Sequence, residues 1–208
     1  MKAYLLAYNG VSALLWAYIL YQCLESVNRG YFPDHAGAGI PHSFMVGTQI
    51  FNSSLELLNS ITGLVPTPIP TLLLQSFARL IILVGICVVI PESAANYAVY
   101  TFSGLTLAWS ITEIIRYGYY FWKLVSTSVP YPITWLRYSA FFALYPLGLV
   151  CESLTVFNSY KVVEARLPLY SKFLKYALPL YIPGFLYLYT YMIKQRAKVL
   201  RKEKKKTL

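Results

Sequence analysis

The chain has 208 residues, of which 57% are hydrophobic and only 12% charged, against about 25% charged in ordinary globular domains. With a mean hydropathy of +0.51, that composition excludes a disordered chain, argues against an ordinary soluble domain and points to the membrane. Cys23, Cys87 and Cys151 lie far apart with no CxxC, and there are two histidines, which argues against a disulfide framework or a metal site.

Six apolar segments come near the ~20 residues needed to cross a bilayer. They run over residues 4–24, 44–64, 71–90, 98–122, 136–157 and 173–193. The first is too long for a signal h-region and lacks a small-x-small cleavage site, so it reads as a retained span. Loop chemistry separates the segments: Asn28-Arg29-Gly30 and Pro33 to Pro41, then Pro66-Thr67-Pro68-Ile69-Pro70, Pro91-Glu92-Ser93, Ser126 to Pro132, and Lys161 to Lys172. Proline ends helices because it lacks the N–H and its ring meets the preceding turn. The expected architecture is all-α, a polytopic membrane protein built as a six-transmembrane-helix bundle over residues 1–193, followed by a basic tail, 194–208.

That tail holds eight bases against one acid, Glu203, within a net charge of +10 for the whole chain. A basic run directly behind a hydrophobic segment reads as a cytosolic anchor at the membrane surface rather than a nucleic-acid site. An even number of spans places both termini on that same side. The Lys161 to Lys172 loop, with Lys161, Arg166 and Lys172 against Glu164, falls on the lumenal side and opposes the tail. The larger charge decides the orientation.

Ionisable groups within spans are costly and need a reason. The sequence places Glu56, Arg79, Glu113, Arg116, Arg137 and Glu152 there, with Gln75 and Tyr145 beside them. At the α-helical rise, Arg137 falls at the surface, Gln75 and Arg116 at roughly 6–9 Å, Glu56, Arg79, Glu113 and Tyr145 at ~12–14 Å and Glu152 at ~24 Å from the cytosolic end. This describes a polar funnel entered from the cytosol. Plain structural roles compete with it. Glu113 and Arg116 are i,i+3 and can neutralise each other. Gln75 and Arg79 are i,i+4 and can bond a neighbouring helix. Arg137 suits snorkelling or a lipid phosphate. The tyrosines, Trp16, Trp109, Trp122 and Trp135 read as interface or packing residues. His35 and His42 lie in a loop and receive no role.

Tyr145 and Glu152 stand out in Tyr145-Pro146-Leu147-Gly148-Leu149-Val150-Cys151-Glu152. Seven residues make about two helical turns, so both lie on one face with Cα atoms ~10 Å apart along the axis. They are too far apart to touch, but both can reach a substrate between them. Pro146 removes one helix bond, and Gly148 leaves room on the same side. A carboxyl in a poor dielectric serves as acid or base near neutral pH, and a phenol donates a proton or hydrogen bond. No metal cluster, phosphate-cradling glycine loop or Ser/His/Asp set accompanies them, so the toolkit is acid–base, with no cofactor. Three functions stay open on these grounds: an acid–base enzyme, a non-catalytic lipid-binding or scaffold protein, and a transporter. A transporter needs repeats and polar groups reaching both faces, and neither is visible.

The strings Ala108-Trp109-Ser110-Ile111-Thr112-Glu113-Ile114-Ile115-Arg116-Tyr117, Trp135-Leu136-Arg137-Tyr138 and Tyr145-Pro146-Leu147-Gly148 with Glu152 resemble the very-long-chain (3R)-3-hydroxyacyl-CoA dehydratases, also called protein-tyrosine-phosphatase-like. Leu55-Glu56-Leu57-Leu58-Asn59-Ser60, Gln75 to Arg79 and Tyr181-Ile182-Pro183-Gly184 extend the resemblance over nearly the whole chain. It implies a six-span endoplasmic-reticulum enzyme with both termini cytosolic, working on an acyl-CoA beside other enzymes of the fatty-acid elongation cycle. The implied reaction removes water from a 3-hydroxyacyl-CoA to give the trans-2-enoyl-CoA. Its essential Tyr and Glu fall on Tyr145 and Glu152, and supporting positions fall on Glu56, Gln75, Arg79, Arg116 and Arg137. Loss of water needs a proton taken from C2 and one delivered to the C3 hydroxyl. Glu152 suits the first and Tyr145 the second, and the reverse assignment uses the same two groups. Lys205-Lys206-Thr207-Leu208 resembles a di-lysine retrieval signal. The chain departs from the family at Pro66-Thr67-Pro68, where Arg-Ser-Pro is usual. A cytosolic base is missing there, and CoA binding is expected to lean on the tail or on Arg79 and Arg116.

Overall fold

The computed structural model describes residues 1–28, 42–93 and 99–206. The expected break over residues 29–41, with His35, and the final Thr207-Leu208 of the retrieval signal lie outside the described residues. The described chain is helical throughout, with no strand. In order, it forms α1 (Lys2–Asn28), α2 (His42–Ile61), α3 (Ile69–Leu80), α4 (Gly104–Val125), α5 (Tyr131–Ser139), α6 (Phe141–Val163), α7 (Pro168–Ala177) and α8 (Tyr181–Lys206). Wider π-helical turns extend α3 over Ile81–Val88 and precede α4 over Val99–Ser103.

Proline sets the joints. Gly63 takes a left-handed φ of 69° just past α2, a conformation glycine enters without a Cβ penalty. Pro70 then sits in the first turn of α3, where its missing N–H costs nothing. The sixth predicted segment, 173–193, is not one helix. Its chain breaks at a 3₁₀ turn, Leu178–Leu180, around Pro179, and α8 restarts at Tyr181. From there α8 runs unbroken into the basic tail as far as Lys206. The fifth segment is longer than predicted: α5 and α6 adjoin at Ala140 and together span 33 residues.

Among the described residues, three helices are long and apolar enough to cross a membrane: Lys2–Asn28, Ile69–Val88 and Tyr131–Val163. Large apolar side chains face outward on these and on later helices, among them Leu14, Leu74, Leu169 and Tyr187. The interior is where the small polar groups sit: Ser12, Asn52, Thr106, Ser110, Thr155 and Ser159 are all buried. Lipid supplies no hydrophobic drive between helices, so close-packed small residues and interhelical hydrogen bonds hold them together. Ser12 donates to Asn52 at 3.0 Å between α1 and α2. The Ser93 and Ser159 hydroxyls meet at 2.8 Å.

The centre of the bundle is α4, against which α1, α5 and α6 pack. Its inward stripe reads Leu105, Ala108, Trp109, Glu113 and Tyr117, spaced by three and four residues as a helix face requires. On α1 the matching stripe is Tyr8, Ser12, Trp16, Ile19 and Cys23. Two contacts tie opposite ends of α6. Arg166, just past its C-terminus, bonds the Val89 carbonyl and pairs with Glu92 at 3.5 Å. Arg196 of α8 donates to Ser139 Oγ at 2.9 Å beside its N-terminus.

Candidate active site

The charged residues of α2, α3 and α4 answer one another. Glu113 is almost fully buried, 3% exposed, and lies between Arg79 at 2.6 Å and Arg116 at 2.7 Å. Arg116 reaches on to Glu56 at 2.5 Å. Tyr117 donates to the same Glu56 oxygen at 2.9 Å, and its hydroxyl meets that of Tyr8 at 3.2 Å. Arg79 also donates to Gln49 at 3.3 Å. A buried carboxylate costs several kcal/mol to desolvate, and two guanidinium groups with good geometry offset that cost. The expected funnel is therefore filled by its own counter-charges. The i,i+3 pairing of Glu113 and Arg116 is present, and Arg79 bonds neighbouring helices as its spacing allows. Gln75 is exposed and stands outside this network.

One step deeper, the network reaches Glu152. The Arg79 guanidinium lies 4.9 Å from the centre of the Trp109 ring. The Trp109 indole Nε1 donates to Glu152 Oε1 at 2.9 Å. Trp109 sits one helical turn below Glu113 on the same stripe of α4, which aims its N–H at α6. Trp109 packs in the core, and its N–H adds a polar contact to that role. Trp16 is fully buried and packs in the core, whereas Trp122 and Trp135 are exposed. Among the described residues Glu152 makes no ion pair, although Arg79 and the phenols of Tyr145 and Tyr181 lie within electrostatic reach.

Tyr145 is half-buried and points toward α8. Its ring stacks on Phe185 at 5.2 Å and on Tyr189 at 6.3 Å. Pro146, in the second turn of α6, leaves the helix continuous around it. Gly148 faces α4, where an added Cβ would meet Ala108 Cβ at 3.8 Å, an ordinary contact. It lies at the α4–α6 seam between the two polar residues. Arg137 rests over the rings of Tyr138 and Tyr120 at 5.7 and 6.0 Å.

Sequence reading missed Trp109, Gln49, Tyr8 and Tyr117. Tyr117 follows Glu113 by one turn and could have been found from that spacing. Gln49 and Tyr8 could not, since their partners are far along the chain.

Chemically, the arrangement offers one carboxyl held by a neutral donor and one phenol on the same α6 face, backed by a neutralised charge cluster. The family model described as protein tyrosine phosphatase-like protein, PTPLA, matches residues 50–202. A very-long-chain (3R)-3-hydroxyacyl-CoA dehydratase of Caenorhabditis elegans, hpo-8, is 33% identical, over 96% of this chain and 95% of its own. The rice dehydratase PASTICCINO 2A is 32% identical, over 98% and 95% respectively. The human dehydratase 2 is 31% identical, over 95% of this chain and 81% of its own. No solved structure matches.

Proposed function

Because the chain belongs to the protein tyrosine phosphatase-like family, PTPLA, we propose that it dehydrates (3R)-3-hydroxyacyl-CoA to trans-2-enoyl-CoA in fatty-acid elongation. The observation that carries the reading is the state of Glu152. Arg79 and Arg116 are spent on Glu113 and Glu56. Glu152, bonded among the described residues by the Trp109 N–H, is left to exchange a proton.

In this mechanism the acyl chain lies between helices and the CoA stays at the cytosolic mouth. Glu152 takes a proton from C2. The electron pair forms the C2–C3 double bond as the C3–O bond breaks, and Tyr145 donates the proton with which the hydroxyl leaves as water. The Trp109 indole holds Oε1 and leaves Oε2 for the substrate. Proton transfer by a positioned group is typically worth ~10²–10⁴-fold. Glu56, Arg79, Glu113 and Arg116 act as support for Trp109 and α4.

The membrane arrangement belongs to the same proposal: six spans in the endoplasmic reticulum, a catalytic domain over 1–193, and both termini with the 194–208 tail in the cytosol. Alternation is supported by two contacts. Arg166 meets Glu92 where segments three and five end, and Arg196 meets Ser139 where segment five begins. The Arg166–Glu92 pair also neutralises part of the basic loop that opposes the tail. The lipid bilayer and neighbouring elongation enzymes are the partners this reading implies.

The test is dehydration of a long-chain (3R)-3-hydroxyacyl-CoA by the full chain in liposomes, with the enoyl product followed by mass spectrometry. Turnover that Glu152→Ala loses supports the reading. Binding without turnover by well-folded protein, across several chain lengths, would move the function to a lipid-binding or scaffold role.

A further inference from the structure

No base stands in Pro66-Thr67-Pro68, after the second apolar segment. CoA binding is expected to lean on the tail or on Arg79 and Arg116, and the latter two are bound to Glu113 and Glu56. The phosphates of a CoA need other cations. Two guanidinium groups beside α5 have no acidic partner among the described residues. Arg196 donates to the Ser139 hydroxyl and lies 5.4 Å above the Phe142 ring. Arg137 rests on tyrosine rings, and its Nε is buried without a hydrogen-bond partner. A permanently charged, partly exposed guanidinium with no acid beside it suits a phosphate oxygen.

The path from these cations to the reacting groups is continuous. Phe142, under Arg196, lies one turn before Tyr145 on α6. Tyr189 of α8 is 6.1 Å from the Phe142 ring and 6.3 Å from that of Tyr145. From Phe142 to Glu152 the α6 axis rises about 15 Å, a span that an extended pantetheine arm covers. We infer that the α5–α8 edge seats the phosphate groups of the acyl-CoA, with Arg196 as the principal anchor and Arg137 as a second, and that the pantetheine arm runs along the aromatic face of α6 and α8 to Tyr145. The inference rests on the dehydratase reading. The ligand chemistry is a phosphate ester, and a bilayer phospholipid could supply the same group.

The experiment separates these sources by comparing a 3-hydroxyacyl-CoA with the phosphate-free 3-hydroxyacyl-pantetheine thioester, in phosphatidylcholine liposomes. Arg196→Gln lowers kcat/KM for the CoA substrate roughly tenfold more than for the pantetheine substrate, the scale of one charge-assisted bond. The loss is carried by KM. Arg196→Lys recovers part of the difference. Lys198→Gln, which removes an exposed charge two residues on, keeps the ratio of the unaltered protein. Equal losses on both substrates, or an undisturbed CoA substrate, would overturn the assignment and leave the phosphate seat to lipid or to another surface. The same change of ratio in Lys198→Gln would reduce the effect to diffuse tail charge and also overturn it. Absence of turnover in the unaltered protein on either substrate strikes the dehydratase reading instead.

Discussion

Replacing Trp109 by Phe removes the donor to Glu152, together with part of the buried ring on which Arg79 rests. The Nε1 to Oε1 distance is 2.9 Å, and Trp109 itself is 5% exposed, so water does not readily take the donor's place. A hydrogen bond to a charged group is worth about 1.5–3 kcal/mol. If that bond sets the carboxyl's position in the transition state, turnover falls roughly 10–100-fold at 1.4 kcal/mol per decade. The acyl chain and CoA contacts lie elsewhere, so KM stays near that of the unaltered protein. Steady-state dehydration in liposomes measures both constants. A benzothienyl analogue of Trp109, with sulfur in place of the N–H, keeps the ring's shape and gives the same loss. Unchanged turnover in a folded Trp109→Phe protein would refute the positioning role. A full-sized loss in Phe with none in the benzothienyl variant would show that ring volume, not the N–H, is what Glu152 needs.

Tyr145→Phe keeps the stack on Phe185 and loses about 10²–10⁴-fold in turnover, with melting in detergent unchanged; wild-type-like turnover would remove Tyr145 from the chemistry. Glu113→Ala leaves Arg79 without an acidic partner, while Arg116 keeps Glu56, and destabilises the bundle by up to about 3–5 kcal/mol, read as a lower melting temperature. Arg166→Ala, in a pair about half exposed on both sides, costs only about 0–1 kcal/mol by the same measurement. Gly85→Ala pushes its new Cβ into the Tyr170 hydroxyl and lowers the melting temperature. Because that hydroxyl is buried without a partner among the described residues, Tyr170→Phe relieves the drop in the double variant. Gly148→Ala keeps activity, since Ala108 leaves ordinary contact distance; a large loss of turnover would mean that substrate must pass over Gly148.

Composition and proline placement, by themselves, determined an all-helical membrane chain. Apolar runs and missing N–H groups act locally and need no partner to be read. They also placed Tyr145 and Glu152 on one face of α6, because helical spacing fixes that wherever the helix lies. Local rules reach less far where a run is continuous in hydropathy but broken in backbone, as at Pro179, or where a helix extends through polar residues, as α8 does into the tail. Which charges pair across helices was decided by the tertiary structure alone. Glu113 could neutralise Arg116 within its own turn, but its second partner, Arg79, comes from another helix, and Glu56 meets Arg116 across a separation of sixty residues. The use of Trp109 was settled the same way. An indole is apolar on every face but one, and only the placing of α6 beside α4 shows that its single N–H meets the Glu152 carboxyl.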